Sequence, residues 1–549
     1  MKMLNKKHKS VITGLMLMLA SLVFIISILS LSFCRGLDND NIIDVGGIAA
    51  VKINLLGAEY ANSDKPAKVA SINEKWLDVD NGVQYYNVLV SPSSFISAEL
   101  APVTTLNTVA STSKLNSMAA VSGNQLESGM KFRVIAYRQI DGTYQTYQDY
   151  TIGQSAQPMM LDGGKAYDIV VYSYGVNALP TISANEQNNI SSAKVNYDDT
   201  NRDFMYQKIS YTPDGNNPNN TLDITLRHKV AQITAIVNSG GMGNITNITG
   251  GLLTPHYSDG VVSLSSGVMS GGNTTTSGAA LSFSGLNTTT VTAAPVFVNA
   301  DTGGNATGGF SAAMTIAGIT KTVSLPNSFK ITPENKSNLT INLRKCGAYL
   351  GPNTNPANFK EFMCQNLGAT EGIDPFSPEA GNHGAKYQWG ANTNEAGRYI
   401  SQANDQSNSG TVSGWISTPK PNGSWSDTSK TSNDPCPSGY RVPTQQQWEA
   451  VVANNNFERI GSWTNVGDTY SSVLYLKNVS NVITLMLPAS GNRLSLNGLN
   501  LFRGVKARYW SSSEYQSDKA FNMSVERLVY PGSDISDRGF AFPIRCIAE

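Results

Sequence analysis

Asp434-Pro435-Cys436-Pro437-Ser438-Gly439-Tyr440-Arg441-Val442-Pro443-Thr444, with Trp448-Glu449 just after it, is the run that decides the fold of this 549-residue chain. Pro435 and Pro437 rigidify a turn around a cysteine. Thr444 followed three residues later by Gln447 is a capping box, which predicts a short helix. Trp448 then falls on that helix as a core anchor. Two later pieces belong with this run: Tyr509-Trp510-Ser511-Ser512-Ser513 and Gly539-Phe540-Ala541-Phe542-Pro543-Ile544-Arg545-Cys546. Cys546 sits where a terminal strand needs pinning.

Working outward, Phe362-Met363-Cys364-Gln365-Asn366-Leu367-Gly368, Asp374-Pro375-Phe376 and Tyr387-Gln388-Trp389-Gly390 precede the run. In this order the pieces resemble the Fibrobacter succinogenes major paralogous domain family. That resemblance implies the fold of C-type lectins and of formylglycine-generating enzymes over about the last two hundred residues. It identifies a domain and not an activity, because fold does not fix function. Six of the seven tryptophans lie beyond Cys346 (Trp389, Trp415, Trp425, Trp448, Trp463 and Trp510), which places a domain boundary near Lys345.

Lys+Arg and Asp+Glu both total 40, and charged residues make up only 15% of the chain. No basic cluster occurs outside the N-terminus, so nothing points to nucleic acid. Abundant Asn, Ser, Thr and Gly suit an extracellular β-protein with long polar loops. Lys2, Lys6, Lys7 and Lys9 form a positive leader, followed by an apolar run from Val11 to Leu31 and then Leu31-Ser32-Phe33-Cys34. This reads as a lipoprotein signal over 1–33 with lipidation at Cys34. Phe33 departs from the pattern, where a small residue is usual, and an uncleaved membrane span is the alternative. Asp38 and Asp40 resemble the surface-export signals of Bacteroidota lipoproteins.

The remaining cysteines, Cys346, Cys364, Cys436 and Cys546, read as two disulfides of an exported domain. Three pairings are open. The favoured one is Cys346–Cys364, a local loop, with Cys436–Cys546 tying the Pro-rich turn to the last strand.

Upstream of Lys345 the pattern is all-β. Lys131–Tyr137, Tyr167–Tyr174, Leu222–Leu226, Ala231–Val237, Ala313–Gly318 and Leu339–Leu343 read as strands between polar turns. Phe132–Tyr137, Lys165–Tyr174, Asp203–Tyr206, Leu226–Ile233 and Pro333-Glu334-Asn335-Lys336, in that order, resemble the fimbrillins of Bacteroidota. The resemblance implies a lipoprotein precursor of a pilus subunit with two β-sandwiches. The expected chain is therefore mainly β. Two consecutive fimbrillin-like sandwiches, 34–194 and 195–345, are followed by an α+β lectin-like domain at 346–549.

No catalytic constellation emerges, and the chain is read as a non-enzyme with no cofactor and no metal. His228 sits in a predicted strand as a structural residue. His256 and His383 lie in loops without a Ser or Cys partner at a recognisable spacing. Calcium-dependent sugar binding lacks its Glu-Pro-Asn or Gln-Pro-Asp loop. Trp389, Trp448 and Trp510 read as core. Trp415 and Trp425 lie in a long loop of Ser, Gly, Thr and Asn, which makes them candidate ligand contacts, against a partly buried structural loop.

The resulting expectation is an outer-membrane, surface-exposed, lipid-anchored adhesin or pilus-associated subunit, at the tip or accessory. Its partners would be other pilus subunits, through strand donation, and a surface ligand such as a glycan. The strand given up would lie near Val51–Leu56, at an edge, with Lys52, Lys65 and Lys68 as trypsin-like cleavage candidates and Arg35 less suited. The alternative is a non-polymerising glycan-binding lipoprotein of a nutrient-uptake system.

Overall fold

The computed structural model describes residues 47–62, 82–103, 126–464, 466, 469–528 and 530–549. Cys34, Arg35, Lys65 and Lys68, with the leader, lie outside the described residues. Among the described residues no helix is long and apolar enough to cross a membrane.

The chain is mainly β. One seven-stranded sheet has the order Tyr144–Thr151, Lys131–Arg138, Tyr167–Ser173, Met205–Tyr211, Asn220–His228, Ile48–Glu59, Met159–Asp162. Its inward face joins a three-stranded sheet in a core of Ile135, Tyr137, Val170, Tyr172, Phe204, Tyr206, Val262 and Leu264. The long strands alternate as their burial requires: in Asn220–His228, Leu222, Ile224 and Leu226 are buried and Asp223 is exposed.

A second sandwich forms around Ala231–Asn238 and Lys336–Lys345, which run parallel, with Ala235 opposite Leu339 and Val237 opposite Ile341. Ser94–Pro102 pairs antiparallel on the other side of Lys336–Lys345, matching Leu100 to Leu339, Ala98 to Ile341 and Ile96 to Leu343. These side chains pack against Ile245, Leu253, Phe310, Ala312, Met314 and Leu325 of the facing four-stranded sheet.

The expected division at 194/195 does not follow the sheets. Met205–Tyr211 and Asn220–His228 complete the first sheet, whereas Gln84–Ser91 and Ser94–Pro102 belong to the second. The chain exchanges strands between the sandwiches. Such pairings join residues more than two hundred positions apart, and alternation fixes the buried face of a strand but not its neighbour.

Residues 47–51, Met160–Lys165 and Thr212–Asn220 make a small unit of their own. Gly163 N–H donates to Gly47 O at 2.9 Å and Gly164 N–H to Pro213 O at 2.8 Å. A Cβ on Gly163 would come within 2.4 Å of Gly215 Cα, so only glycine allows this approach.

From Gly347 onward short antiparallel strands surround two α-helices, Gln402–Ser407 and Gln445–Asn454. The second helix begins as its sequence predicts. Thr444 Oγ1 accepts from Gln447 N–H, and Gln447 Oε1 accepts from Thr444 N–H. Trp448 is buried beside Phe362 and Tyr509. Its indole N–H donates to Trp510 O at 3.2 Å. Trp389 and Trp510 are fully buried as well.

Candidate functional site

Two regions bear on function. The first is the strand Ile48–Glu59 with the three residues after it. The strand lies next to Asn220–His228, where Asn54 donates to Asp223 at 2.8 Å and Arg227 pairs with Glu59 at 2.8 Å. It is not an edge strand, as its alternation had implied. The four-residue Met159–Asp162 stands beyond it and makes it second from the end of the sheet. Lys52 is an exposed residue within this strand rather than in a loop.

The chain leaves the strand firmly held. The Tyr60 ring stacks on His228 with centroids 3.9 Å apart and planes 4° from parallel. His228 is held by Asp203, whose carboxylate lies 2.5 Å from Nδ1. Ala61 N–H donates to Glu334 O at 2.8 Å, and Asn62 exchanges two bonds with the Lys336 backbone, at 2.7 and 3.1 Å. His228 thus serves the structure. So does His256, whose Nδ1 accepts from Asn299 N–H at 3.0 Å while Nε2 lies 2.8 Å from Asp199. Burial pushes the His256 imidazole below its ordinary value, and the Asp199 hydrogen bond opposes that only in part.

The second region is the C-terminal domain. The structure joins Cys346 to Cys364 and Cys436 to Cys546, with Cα atoms 5.0 and 5.9 Å apart. The second bridge lies beside the antiparallel pair Tyr440–Arg441 and Ile547–Ala548. The turn Pro92-Ser93 of the second sandwich docks on the first bridge. Cys364 N–H donates to Pro92 O at 2.7 Å and Cys346 N–H to Ser93 O at 2.8 Å. Tyr440 Oη donates to Ser93 Oγ at 2.7 Å, and Ser93 Oγ–H to Glu361 Oε2 at 2.5 Å. Phe95 then enters the C-terminal core beside Phe376, with ring centroids 5.3 Å apart.

Trp415 and Trp425 have different partners. Trp425 is buried, not a surface contact: its indole packs on Trp389 at 5.6 Å and donates to Asn433 O at 3.0 Å. A polar loop can fold over its own tryptophan when the indole N–H finds a carbonyl within that loop. Trp415 is half-buried against Gly498, where a Cβ would come within 2.9 Å of the indole. Trp415 Nε1 is enclosed without an acceptor.

Sequence reasoning missed a buried charge cluster. Asp405 on helix Gln402–Ser407 meets Lys386 Nζ, Arg493 Nε at 2.7 Å and Arg503 Nη2 at 2.9 Å. Arg493 also donates to the carbonyls of Gly410, Gly498, Asp405 and Asn408. Burial alone would raise the Asp405 carboxyl, but Lys386, Arg493 and Arg503 outweigh it and hold the group down to about 2. His383 packs edge-on to Tyr470, and burial pushes its imidazole down to about 3. The only hint in sequence was Lys386 standing inside the apolar stretch Ala385-Lys386-Tyr387.

A polar recess of about 350 Å³ opens between strand Phe359–Glu361, the loop 427–430, the first turn of helix Gln445–Asn454 and the pair Tyr440–Arg441/Ile547–Ala548. Lys360, Lys430, Arg441 and Gln447 line it together with Asp427, Thr428 and Ser429.

No family model matches the sequence, and no curated protein matches it. Among solved structures, similarity is found to a proposed cell adhesion protein of Bacteroides uniformis (14% identity, 39% of this chain and 87% of that one, TM-score 0.30). A proposed cell adhesion protein of Bacteroides fragilis is 12% identical over 53% of this chain and 92% of its own, with a TM-score of 0.29. A fimbrial assembly protein of Parabacteroides distasonis is 10% identical over 38% and 82%, with a TM-score of 0.26. Similarity at this level carries no argument, so the functional reading rests on the chain's own features.

Proposed function

We propose that this chain is a cell-surface adhesive subunit, pilus-associated, that accepts a strand from a neighbouring subunit and presents its C-terminal lectin-like domain to a ligand. The reading takes it to be a lipoprotein anchored through Cys34 and does not make it an enzyme. The observation that carries it is the placement of Ile48–Glu59. This twelve-residue strand sits second from a sheet end and leads within three residues to the polar segment 63–81. A cut in that segment would free the strand while sparing every other strand of the sheet. Its loss would leave backbone groups of Asn220–His228 unpaired, and a strand from another subunit would satisfy them.

The chain holds its own last strand fast: Ile547–Ala548 pairs with Tyr440–Arg441 beside the Cys436–Cys546 bridge. This supports a subunit that receives a strand without donating one, hence a terminal place in a fibre. The test is to trim the purified precursor with trypsin and mix it with each pilin encoded beside it. A stable mixed complex that stops growing is expected. If the trimmed chain stays monomeric with all of them, the pilus assignment fails and the non-polymerising, glycan-binding uptake lipoprotein replaces it.

A further inference from the structure

The recess beside Arg441 deepens that reading, on which it rests, by naming what the C-terminal domain would hold. Its volume of about 350 Å³ lies at the lower end of the range for small-ligand sites, roughly 300–1,000 Å³. Three cations line it against two carboxylates, Asp427 and Glu549. Asp427 is already engaged, accepting from Ser512 Oγ at 2.5 Å and Ser513 Oγ at 2.7 Å. Lys430 is likewise paired, with Asp434 at 2.8 Å.

Lys360 and Arg441 differ. Lys360 Nζ donates to Glu549 O at 3.0 Å, and Arg441 Nη1 donates to Asp427 O at 2.7 Å. Both partners are uncharged carbonyls. Neither cation has an ion pair among the described residues, so two positive charges stand uncompensated at one opening. Arg441 keeps Nε and Nη2 available, the fork that grips an oxyanion in two bonds. Gln447 gives its carbonyl oxygen to the capping box, which leaves its amide nitrogen as a further donor.

The frame is rigid. Gln445 N–H donates to Ser513 Oγ at 2.8 Å, linking the helix to the serines that hold Asp427. The Cys436–Cys546 bridge fixes the strand pair beside it. Of the lining residues only Ala548 is apolar, so a peptide side chain would find no greasy seat here. Hydroxyl, amide and cationic donors around a small open recess suit a polar ring that carries one anionic group. We propose that this recess binds an anionic saccharide unit, with Arg441 and Lys360 on the carboxylate or sulfate and Thr428, Ser429 and Gln447 on the ring hydroxyls.

The test is calorimetric titration of the full chain at low salt with four probes: an oligogalacturonate, a sulfated oligosaccharide, a neutral oligosaccharide of the same length, and an oligoglutamate peptide. One or both anionic saccharides should bind, the tighter one identifying carboxylate or sulfate as the source of charge, and added salt should weaken binding. Arg441→Gln or Lys360→Gln should weaken it by about tenfold, the order expected for a charge-assisted contact, without moving the thermal midpoint. Gln447→Glu keeps the capping box and adds a negative charge to the wall. It should weaken binding too, and it serves if the other variants lose fold. The proposal is overturned if no saccharide binds, if the neutral one binds equally, if the peptide binds more tightly, or if all three variants leave binding unchanged. Strand exchange and cell adhesion are scored separately. Adhesion that survives Arg441→Gln sinks the recess alone, and saccharide binding without adhesion or strand exchange sinks the adhesin reading alone.

Discussion

Asp405 concentrates more consequence in one side chain than any other residue of the C-terminal domain. It is the sole carboxylate that Lys386, Arg493 and Arg503 are seen to share. Asp405→Asn would leave buried cations without a counter-charge. Removing one member of a buried pair costs about 3–5 kcal/mol, because the partner's desolvation is no longer offset. Urea unfolding at neutral pH should show that loss. The pH dependence follows from the signs. The folded Asp405 carboxyl, at about 2, lies below its unfolded value of about 3.9. Its stabilisation is therefore present above about pH 4 and lost as the pH falls through about 2. His383, at about 3, also lies below its unfolded value of about 6.5. The unfolded chain takes up that proton first, so stability should begin to fall below about pH 6.5. A pH series of unfolding midpoints should show both limbs, and Asp405→Asn should flatten the more acidic one. None of this cluster was legible beforehand, because a charged residue gives no sign of burial until distant segments close over it. Trp425 misled in the other direction: its polar neighbours implied exposure, yet Asn433 O is the acceptor that lets the indole turn inward.

At the scale of elements, the local devices were legible and the distant ones were not. The capping box at Thr444 spans three residues, so sequence alone determines it, and the same run carries Trp448 into the core. The antiparallel pairing of Lys336–Lys345 with Ser94–Pro102 has no such local signature. Either strand would read the same beside another neighbour. The disulfides lie between these cases: the cysteines were evident, whereas their partners depend on the fold. Cys436–Cys546 closes a separation of 110 residues and Cys346–Cys364 one of 18. On the chain-entropy model, losing the longer link costs about 4–5 kcal/mol and losing the shorter about 3 kcal/mol. Cys436→Ala with Cys546→Ala should thus lower the urea midpoint more than Cys346→Ala with Cys364→Ala. Non-reducing peptide maps should show only these two links. A mixed pattern would mean that the terminal pairing Tyr440–Arg441/Ile547–Ala548 is wrong.

For the molecule as a whole, the boundary near Lys345 marks a change of composition but not a flexible hinge. Phe95 belongs by sequence to the second sandwich and by packing to the C-terminal core, with Phe376, Trp448 and Leu474. The segment 346–549 made alone would lack that ring and the acceptors Pro92 O and Ser93 O. It should melt below the corresponding transition of the full chain. Phe95→Ala should reproduce much of the loss, about 3–5 kcal/mol for a buried phenylalanine. An equal melting point for the isolated segment would show that the docking contributes nothing. The seam also has a mechanical meaning. Lys336–Lys345 runs directly into Cys346 and has a bonded neighbour along each side. A pull on the outer domain therefore travels down a strand embedded in its sheet, and its two ladders of hydrogen bonds are sheared together instead of being unzipped one by one. For a protein that must keep its grip while its cell is dragged by flow, the joint between anchor and grip is a splice rather than a hinge.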